Sequence, residues 1–180
     1  MGAPVEPPSA VLIAGILVGD RDLLPEVRCE LERTIGPMAC ASDVWPFGAT
    51  HYYADELGEN VWRQFVAFTE PFALDRLAEV KLATNALEQA LALHSHRAPD
   101  CRPVNLDPGY VTLTALVLAT TKPRAHRIYL SRGIHAEVTL NFESGAWRAW
   151  PWTYPDFAVD TYHAYLSRVR GLLKARRRGA

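Results

Sequence analysis

Eight consecutive apolar residues, Val11-Leu12-Ile13-Ala14-Gly15-Ile16-Leu17-Val18, run without a polar break at either parity. Successive side chains of a strand point to opposite faces, so a strand of this kind is buried on both. The run predicts a central strand in a sheet covered on two sides. It is too short to span a membrane, and no stretch of about 18 consecutive apolar residues occurs anywhere. It follows Pro4, Glu6, Pro7 and Pro8 rather than a basic leader, and no small-residue cleavage site comes after it. It therefore reads as a strand and not as a signal peptide.

The elements that follow are punctuated by caps and breakers. Asp20 or Asp22 caps a helix with Pro25 in its first turn and Leu24, Val27, Leu31 and Ile35 on one face; Gly36-Pro37 ends it. Met38 to Phe47 predicts a strand, 48–58 a tyrosine-rich loop or short helix, and Val61 to Phe72 an aromatic strand. Asp75 opens a long helix with Leu77, Val80, Thr84, Leu87 and Leu91 on its apolar face. On that reading Lys81, Asn85 and Glu88 form its wet side. A polar loop spans 94–102, and Asp107-Pro108-Gly109-Tyr110 predicts a type II turn with Gly109 at φ > 0. Leu113 to Thr120 predicts a short helix. His126 to Leu130 and Ile134 to Phe142 predict a hairpin. The final helix buries Tyr162, Leu166, Val169 and Leu173, and its last-turn arginines suit a solvated helix terminus.

The expected fold is α+β: a ferredoxin-like split βαββαβ core extended by a short helix, a β-hairpin and a C-terminal helix. Residues 1–9 form a flexible proline-rich start, and 10–180 a single domain. Hydrophobic residues are 49% of the chain and charged residues 22%, with formal net charge −1, so no polyanionic partner is advertised over the whole surface. Cys29, Cys40 and Cys101 are odd in number and widely spaced, which fits a reducing, cytoplasmic setting and not a disulfide framework or zinc site.

Several common chemistries lack their motifs. There is no phosphate loop, no dinucleotide fingerprint after Val18-Gly19-Asp20, no H-E-x-x-H helix and no nucleophile elbow. His135-Ala136-Glu137 has the start of a zinc-deaminase signature but no P-C-x-x-C after it.

What remains is a polar constellation in the second half. Along Ile134 to Phe142, Ala136, Val138, Leu140 and Phe142 alternate with His135, Glu137, Thr139 and Asn141, which predicts one buried and one open face. A three-residue turn, Ser131-Arg132-Gly133, pairs Leu130 with Ile134, Tyr129 with His135 and Arg127 with Glu137, on the face away from the helices. Asn105 and Asp107 share a parity and can face the same surface, with Lys122 and His126 at the hairpin entrance and Thr153, Tyr154 and Asp156 on the following loop. The expected catalytic residues are Asp107, His126 and Glu137; the expected binding residues are Asn105, Lys122, Arg127, Thr139 and Tyr154. Each also has an ordinary structural role. Arg127 and Glu137 suit a solvated cross-strand pair, Asp107 a turn, and Asp156 a helix cap.

The blocks Asn105-Leu106-Asp107-Pro108-Gly109-Tyr110, Leu118-Ala119-Thr120-Thr121-Lys122, His126-Arg127-Ile128-Tyr129-Leu130, Ala136-Glu137-Val138-Thr139-Leu140 and Pro151-Trp152-Thr153-Tyr154-Pro155-Asp156 resemble a bacterial and archaeal family known as domain of unknown function 4416. The resemblance extends to Tyr52-Tyr53, Glu56, Gly58 and Lys81-Leu82-Ala83-Thr84-Asn85, and so covers nearly the whole chain. The family implies no activity. Its members have at times carried a GTP-binding label by automatic transfer, but Thr121-Lys122-Pro123-Arg124 stands where an N-K-x-D base-reading motif could be sought.

Two functional readings follow. One is a domain that binds or acts on an anionic small molecule, a nucleotide or phosphorylated metabolite, with Arg127 and Lys122 on the anion, Asp107 or Glu137 as base or metal ligand and His126 moving a proton. The other is an RNA-binding module, or a non-catalytic interaction protein, using rings from Tyr110, Tyr129, Trp147, Trp150 and Trp152. No cofactor, metal or oligomeric state is assigned.

Overall fold

The computed structural model describes residues 2–5, 7, 10–48, 54–58, 60–94 and 102–179. β1 (Ala10–Val18) is buried at every position, as its two-faced apolar run requires. It lies between β4 (Val61–Phe72) and β5 (Val104–Val111), antiparallel to both. β2 (Met38–Ala41) pairs with the far side of β4, and beyond β5 come β6 (Ala115–Thr120), β8 (Ile134–Glu143) and the edge strand β7 (Ile128–Ser131). β3 (Trp45–Phe47) also pairs with β4, and β9 (Ala146–Ala149) with β8. All these pairings are antiparallel, and with the helices they make an α+β structure.

The two parities of β1 serve two layers. Leu12, Ala14, Ile16 and Val18 pack with α1 (Leu24–Thr34) and α3 (Leu77–His94). Val11 and Ile13 pack with α4 (Asp160–Gly179), whose Tyr162, Leu166, Val169 and Leu173 form one stripe at helical spacing. A short α2 (Ala54–Leu57) closes one end, with Leu57 against Leu17, Phe47 and Val61. No helix among the described residues is long and apolar enough to cross a membrane. Of the segment expected to be a loop or short helix, 48–58, the part 54–58 holds the short helix α2, and 49–53, with Tyr52 and Tyr53, lie outside the described residues, as do most of 94–102, Cys101 and part of 1–9.

Four local expectations are corrected. The strand expected over Met38–Phe47 is two short strands, β2 and β3, which meet β4 separately. Leu113–Thr120 is not a helix. Its apolar, two-faced run is β6, with Leu116 and Leu118 under α4 and Val117 and Ala119 under the other layer. Asp107-Pro108-Gly109-Tyr110 is not a turn but lies within β5, and Gly109 is not among the glycines with positive φ. Gly109 is needed for space: a Cβ there would lie 2.3 Å from Val117 O and 2.6 Å from Leu118 Cδ2. Finally, the hairpin turn is two residues, Arg132 (φ 50°) and Gly133 (φ 79°), with both φ positive as a primed turn requires. Ser131 pairs with Ile134, Leu130 is left out of the register, and Tyr129 opposite His135 is recovered.

Pro108 has a consequence for the sheet. Thr112 N donates to Ala115 O at 2.9 Å just past the β5–β6 ladder. Hydrogen-bonded pairs alternate along such a ladder, so the even residues of β5 turn their backbone groups towards β6. Pro108 has no N–H to give. At Leu106, side chains of α3 stand in for β6: Leu106 N donates to Glu88 Oε1 (2.6 Å), and Leu106 O accepts from Lys81 Nζ (2.7 Å). Lys81 and Glu88, expected with Asn85 on a wet helix face, are therefore buried and Asn85 is half-buried, while Thr84 is buried on the apolar face as expected. Burial pushes the Glu88 carboxyl above its usual range, opposed by Lys81, the Leu106 N–H and Arg102. β5 and β6 fork beyond the Gly109–Leu118 pair, and Asp107 stands at the fork.

Candidate functional site

Directly opposed residues share a sheet face, so register assigns each side chain a side. Asp107 opposes Gly15, Arg63 and Asn105 oppose Leu17, and Glu137 opposes Leu118. Gly15 and Leu17 share the parity of Ile13, and Leu118 packs in the same layer, under α4. Asn105, Asp107, Glu137 and Arg63 thus lie on one face. It is the face that carries α4, at the end the helix leaves polar, and not the face away from the helices.

The first cluster centres on Arg63, whose side chain is 3% exposed. It donates through Nη1 to Asp107 Oδ2 (3.3 Å) and through Nη2 to Asp156 Oδ2 (3.2 Å). Its guanidinium carbon lies 5.1 Å, 5.3 Å and 5.7 Å from the ring centres of Phe47, Phe65 and Phe157. Asn105 Nδ2 donates to the same Asp107 oxygen at 2.9 Å. Asp107 Oδ1 makes no protein hydrogen bond among the described residues, and its side chain is 26% exposed. Asp156 is not a helix cap. It is buried beside Arg63, and burial raises its pKa, opposed by Arg63 and reinforced by Asp107. Burial likewise pushes Tyr162 up to about 12.

The second cluster centres on Glu137, whose side chain is 4% exposed. Its Oε2 accepts from Arg127 Nε (2.8 Å) and lies 3.1 Å from His126 Nε2; the Thr139 hydroxyl donates to Oε1 at 3.4 Å. Arg127 also donates through Nη1 to Lys122 O (2.8 Å) and through Nη2 to Tyr154 Oη (3.3 Å). Burial alone would lower the Arg127 pKa, but the bonds to Glu137 and Tyr154 more than offset it and hold it above the usual value. The expected solvated pair is a buried one, with the Arg127 side chain 5% exposed. The strict alternation expected along β8 also fails. Thr139 is skipped in the β6–β8 register, so Glu137 and Leu140 share the α4 side while Val138 is exposed. At the sheet edge Ile128 and Leu130, expected on the buried face, are exposed too.

The loop before α4 joins the two clusters. Thr153 Oγ1 donates to Thr139 O (2.5 Å), and Trp152 Nε1 donates to Val138 O (3.1 Å). Trp152 stacks on His126 with centroids 5.2 Å apart, and Trp150 stacks on Trp152 at the same distance. Tyr154 then reaches Arg127 and Asp156 reaches Arg63.

The structure therefore brings His126, Arg127, Glu137, Thr139 and Tyr154 together, with the Lys122 carbonyl, and places Asn105 and Asp107 in the adjoining cluster. β6 lies between β5 and β8; where the ladders are intact that sets their axes about 10 Å apart, and at Asp107 the β5–β6 ladder has already opened. Among the described residues no three His, Cys, Asp or Glu side chains are grouped to hold a metal. Sequence reasoning missed Arg63. The available signal was a cation in the same parity as Phe65 and Ala67, on the apolar side of the strand's first half. His135, read from the sequence as part of the polar face but not as a site residue, lies on this face opposite Thr120, with Nδ1 buried and without a hydrogen bond.

No curated protein and no solved structure gives a significant match to this chain. The blocks that meet in the two clusters are those through which the sequence resembled a known family. That family's model, described as Domain of unknown function (DUF4416), matches residues 8–172, and the chain belongs to this family.

Proposed function

We propose that the polar end of the α4 face binds an anionic small molecule, a nucleotide or other phosphorylated metabolite, and does acid–base work on it. The observation that carries this reading is Asp107. Arg63 and Asn105 fix one of its oxygens, while the other makes no hydrogen bond to a described residue, and the adjoining cluster holds an acid–imidazole pair, Glu137 with His126. Asp107 is the base in this reading, and His126, oriented by Glu137, transfers the proton. The exposed Lys122 and the rim formed by Arg127 and Tyr154 meet the anion, and Thr139 fixes Glu137.

Two finer assignments belong to the same proposal. The antiparallel order β2-β4-β1-β5 supports a ferredoxin-like core. Free Cys29 and Cys40 support a reducing, cytoplasmic setting.

The test is native mass spectrometry of the purified chain with captured molecules identified, repeated on Lys122→Gln and Asp107→Asn. The expected result is a nucleotide or phosphorylated compound held by the wild type, held less by a folded Lys122→Gln and still held by Asp107→Asn, which loses the base and none of the anion contacts. Equal retention by the wild type and Lys122→Gln, or loss from a folded Asp107→Asn, overturns the assignment. The alternative, an RNA-binding module or non-catalytic interaction protein, draws on the stacked Trp150, Trp152 and His126. Of its five expected rings, Trp147 is buried and Tyr110 half-buried, which leaves Tyr129, Trp150 and Trp152 exposed. Capture of RNA in place of a metabolite selects that reading.

A further inference from the structure

β7 is the last strand of the sheet and pairs with β8 alone, so among the described residues no strand meets the backbone N–H and C=O groups along its outer side. Its side chains are apolar and open: Ile128 is 68% exposed, Tyr129 60% and Leu130 37%. Ile128 opposes Ala136, on the face that carries α1 and α3, and Tyr129 opposes His135, on the face that carries α4. A strand laid along β7 therefore finds apolar or aromatic surface for both of its parities.

Charge decides what that strand can be. The stretch 121–136 contains Lys122, Arg124, Arg127 and Arg132 and no acidic residue, in a chain whose formal net charge is −1. Arg127 is spent on the buried Glu137. Arg124 and Arg132 bracket β7. The Arg124 carbonyl accepts from Arg127 N (3.0 Å) in the turn that enters the strand, and Arg132, with φ 50°, opens the turn that leaves it. Both are exposed, and among the described residues neither makes an ion pair.

These two cations rule against a second copy of the chain. Identical edges pair antiparallel about a two-fold axis, which for β7 passes beside Tyr129 and sets Ile128 against Leu130. The same axis brings the Arg132 end of each copy onto the Arg124 end of the other, and like charges across strands are destabilising. An added strand with carboxylates at its two ends meets the opposite situation. β7 is four residues long, which limits the contact to a short segment.

We propose that β7 docks an extended acidic segment of another protein, which joins the sheet as a new outer strand. The backbone of that segment pairs with β7, its apolar side chains alternate between Ile128 and Tyr129, and its terminal carboxylates meet Arg124 and Arg132. Asp107, Glu137 and Lys122 take no part, so this surface and the small-molecule site stand or fall separately.

Titration of the full chain with a labelled octapeptide of alternating valine and threonine, glutamates at both ends, tests this, with amide hydrogen exchange followed across β7. The peptide is expected to bind at about micromolar concentration in low salt and to slow exchange at Ile128–Ser131. Affinity should fall about tenfold in the double variant Arg124→Gln with Arg132→Asn, and likewise in about 0.5 M salt. Both substitutions are at exposed positions, and asparagine tolerates the positive φ of Arg132. The lysine counterpart of the peptide, and a glutamate–proline peptide of equal charge that cannot form a strand, should each bind about tenfold more weakly or worse. No binding at millimolar concentration, equal binding of the glutamate–proline peptide, full affinity in the double variant or unprotected β7 amides would each overturn the proposal. So would tighter binding of oligouridylate than of the peptide, or a free chain that is already dimeric with its β7 amides protected.

Discussion

Gly15 lies directly beneath the guanidinium of Arg63: a Cβ built on it would meet Nη1 at 2.7 Å and the Phe65 ring at 3.1 Å. A long side chain usually swings aside from such a clash. Here the same guanidinium is pinned by Asp107 and Asp156 and set among three phenylalanine rings. Gly15→Ala should therefore lower unfolding free energy by about 1–3 kcal/mol. It should also release Asp107 from its fixed orientation. An unchanged denaturation midpoint would count against the pinning.

Gly109 and Gly133 are glycines for different reasons, and their alanine variants should separate those reasons. Gly109→Ala drives a methyl group into the backbone oxygen of Val117, so β5 and β6 must move apart; the expected loss is about 3 kcal/mol. Gly133 has φ 79° and nothing near its Cβ position, so Gly133→Ala should lose only about 1 kcal/mol of backbone preference. Chemical denaturation of both variants checks the order. A Gly109→Ala milder than Gly133→Ala would refute the close-approach account.

The Arg127–Glu137 pair is buried, so removing one partner strands the other. Arg127→Met and Glu137→Leu alone should each lower stability by about 3–5 kcal/mol, and the double variant should lose less than the sum. A double-mutant cycle by urea unfolding reads this directly. Single losses under about 1 kcal/mol would place the pair among solvated surface contacts.

Glu88 predicts a slope against pH. Its carboxyl holds its proton more tightly in the folded chain than in the unfolded one, because burial raises its pKa. Its contribution to stability is thus greatest in acid and declines as pH rises from the ordinary glutamate range through the folded value. Glu88→Gln keeps an acceptor for Leu106 N but cannot titrate. Relative to the wild type it should gain stability as pH climbs through that window. Urea midpoints of both proteins at several pH values are the check; a constant or oppositely sloped difference would contradict it.

Much of the framework was legible from residues alone. An apolar run at both parities, rich in Val and Ile and bounded by Pro8 and Gly19-Asp20, reads as a doubly covered strand, and β1 is one. The stripe of Tyr162, Leu166, Val169 and Leu173 fixed the buried side of α4 before any partner was known. The failures share a cause: local chemistry with two uses. Proline followed by glycine suits a turn, but here Pro108 ends a ladder and Gly109 admits a neighbouring backbone. Leu113–Thr120 is too short for periodicity to tell helix from strand, and its partners Gly109–Val111 and His135–Asn141 lie elsewhere in the chain.

The candidate site was legible in its members and less so in its grouping. Arg127 with Glu137 and Tyr129 opposite His135 followed from counting along the hairpin, because the unpaired Leu130 offset the shorter turn. Arg63 was hidden because its two carboxylate partners are 44 and 93 residues away in sequence. The terminal arginines are not wholly solvated either, since Arg176 donates to Thr69 O at the end of β4.

The fork at Pro108 also decides how force passes across the sheet. Three described residue pairs, Gly109–Leu118, Tyr110–Val117 and Val111–Leu116, hold β5 to β6, whereas β1 and β5 share eight. Mechanically the sheet is two ribbons stitched at one end, with flexural stiffness lowest along that line. What braces the open end lies above and below it: α3 clasps Leu106 from one side, and on the other the loop before α4 ties Arg63 to β8 through Asp156 and Thr153. Loosening either brace would let the ribbons splay, and Asp107, standing at the crotch, would register the strain first.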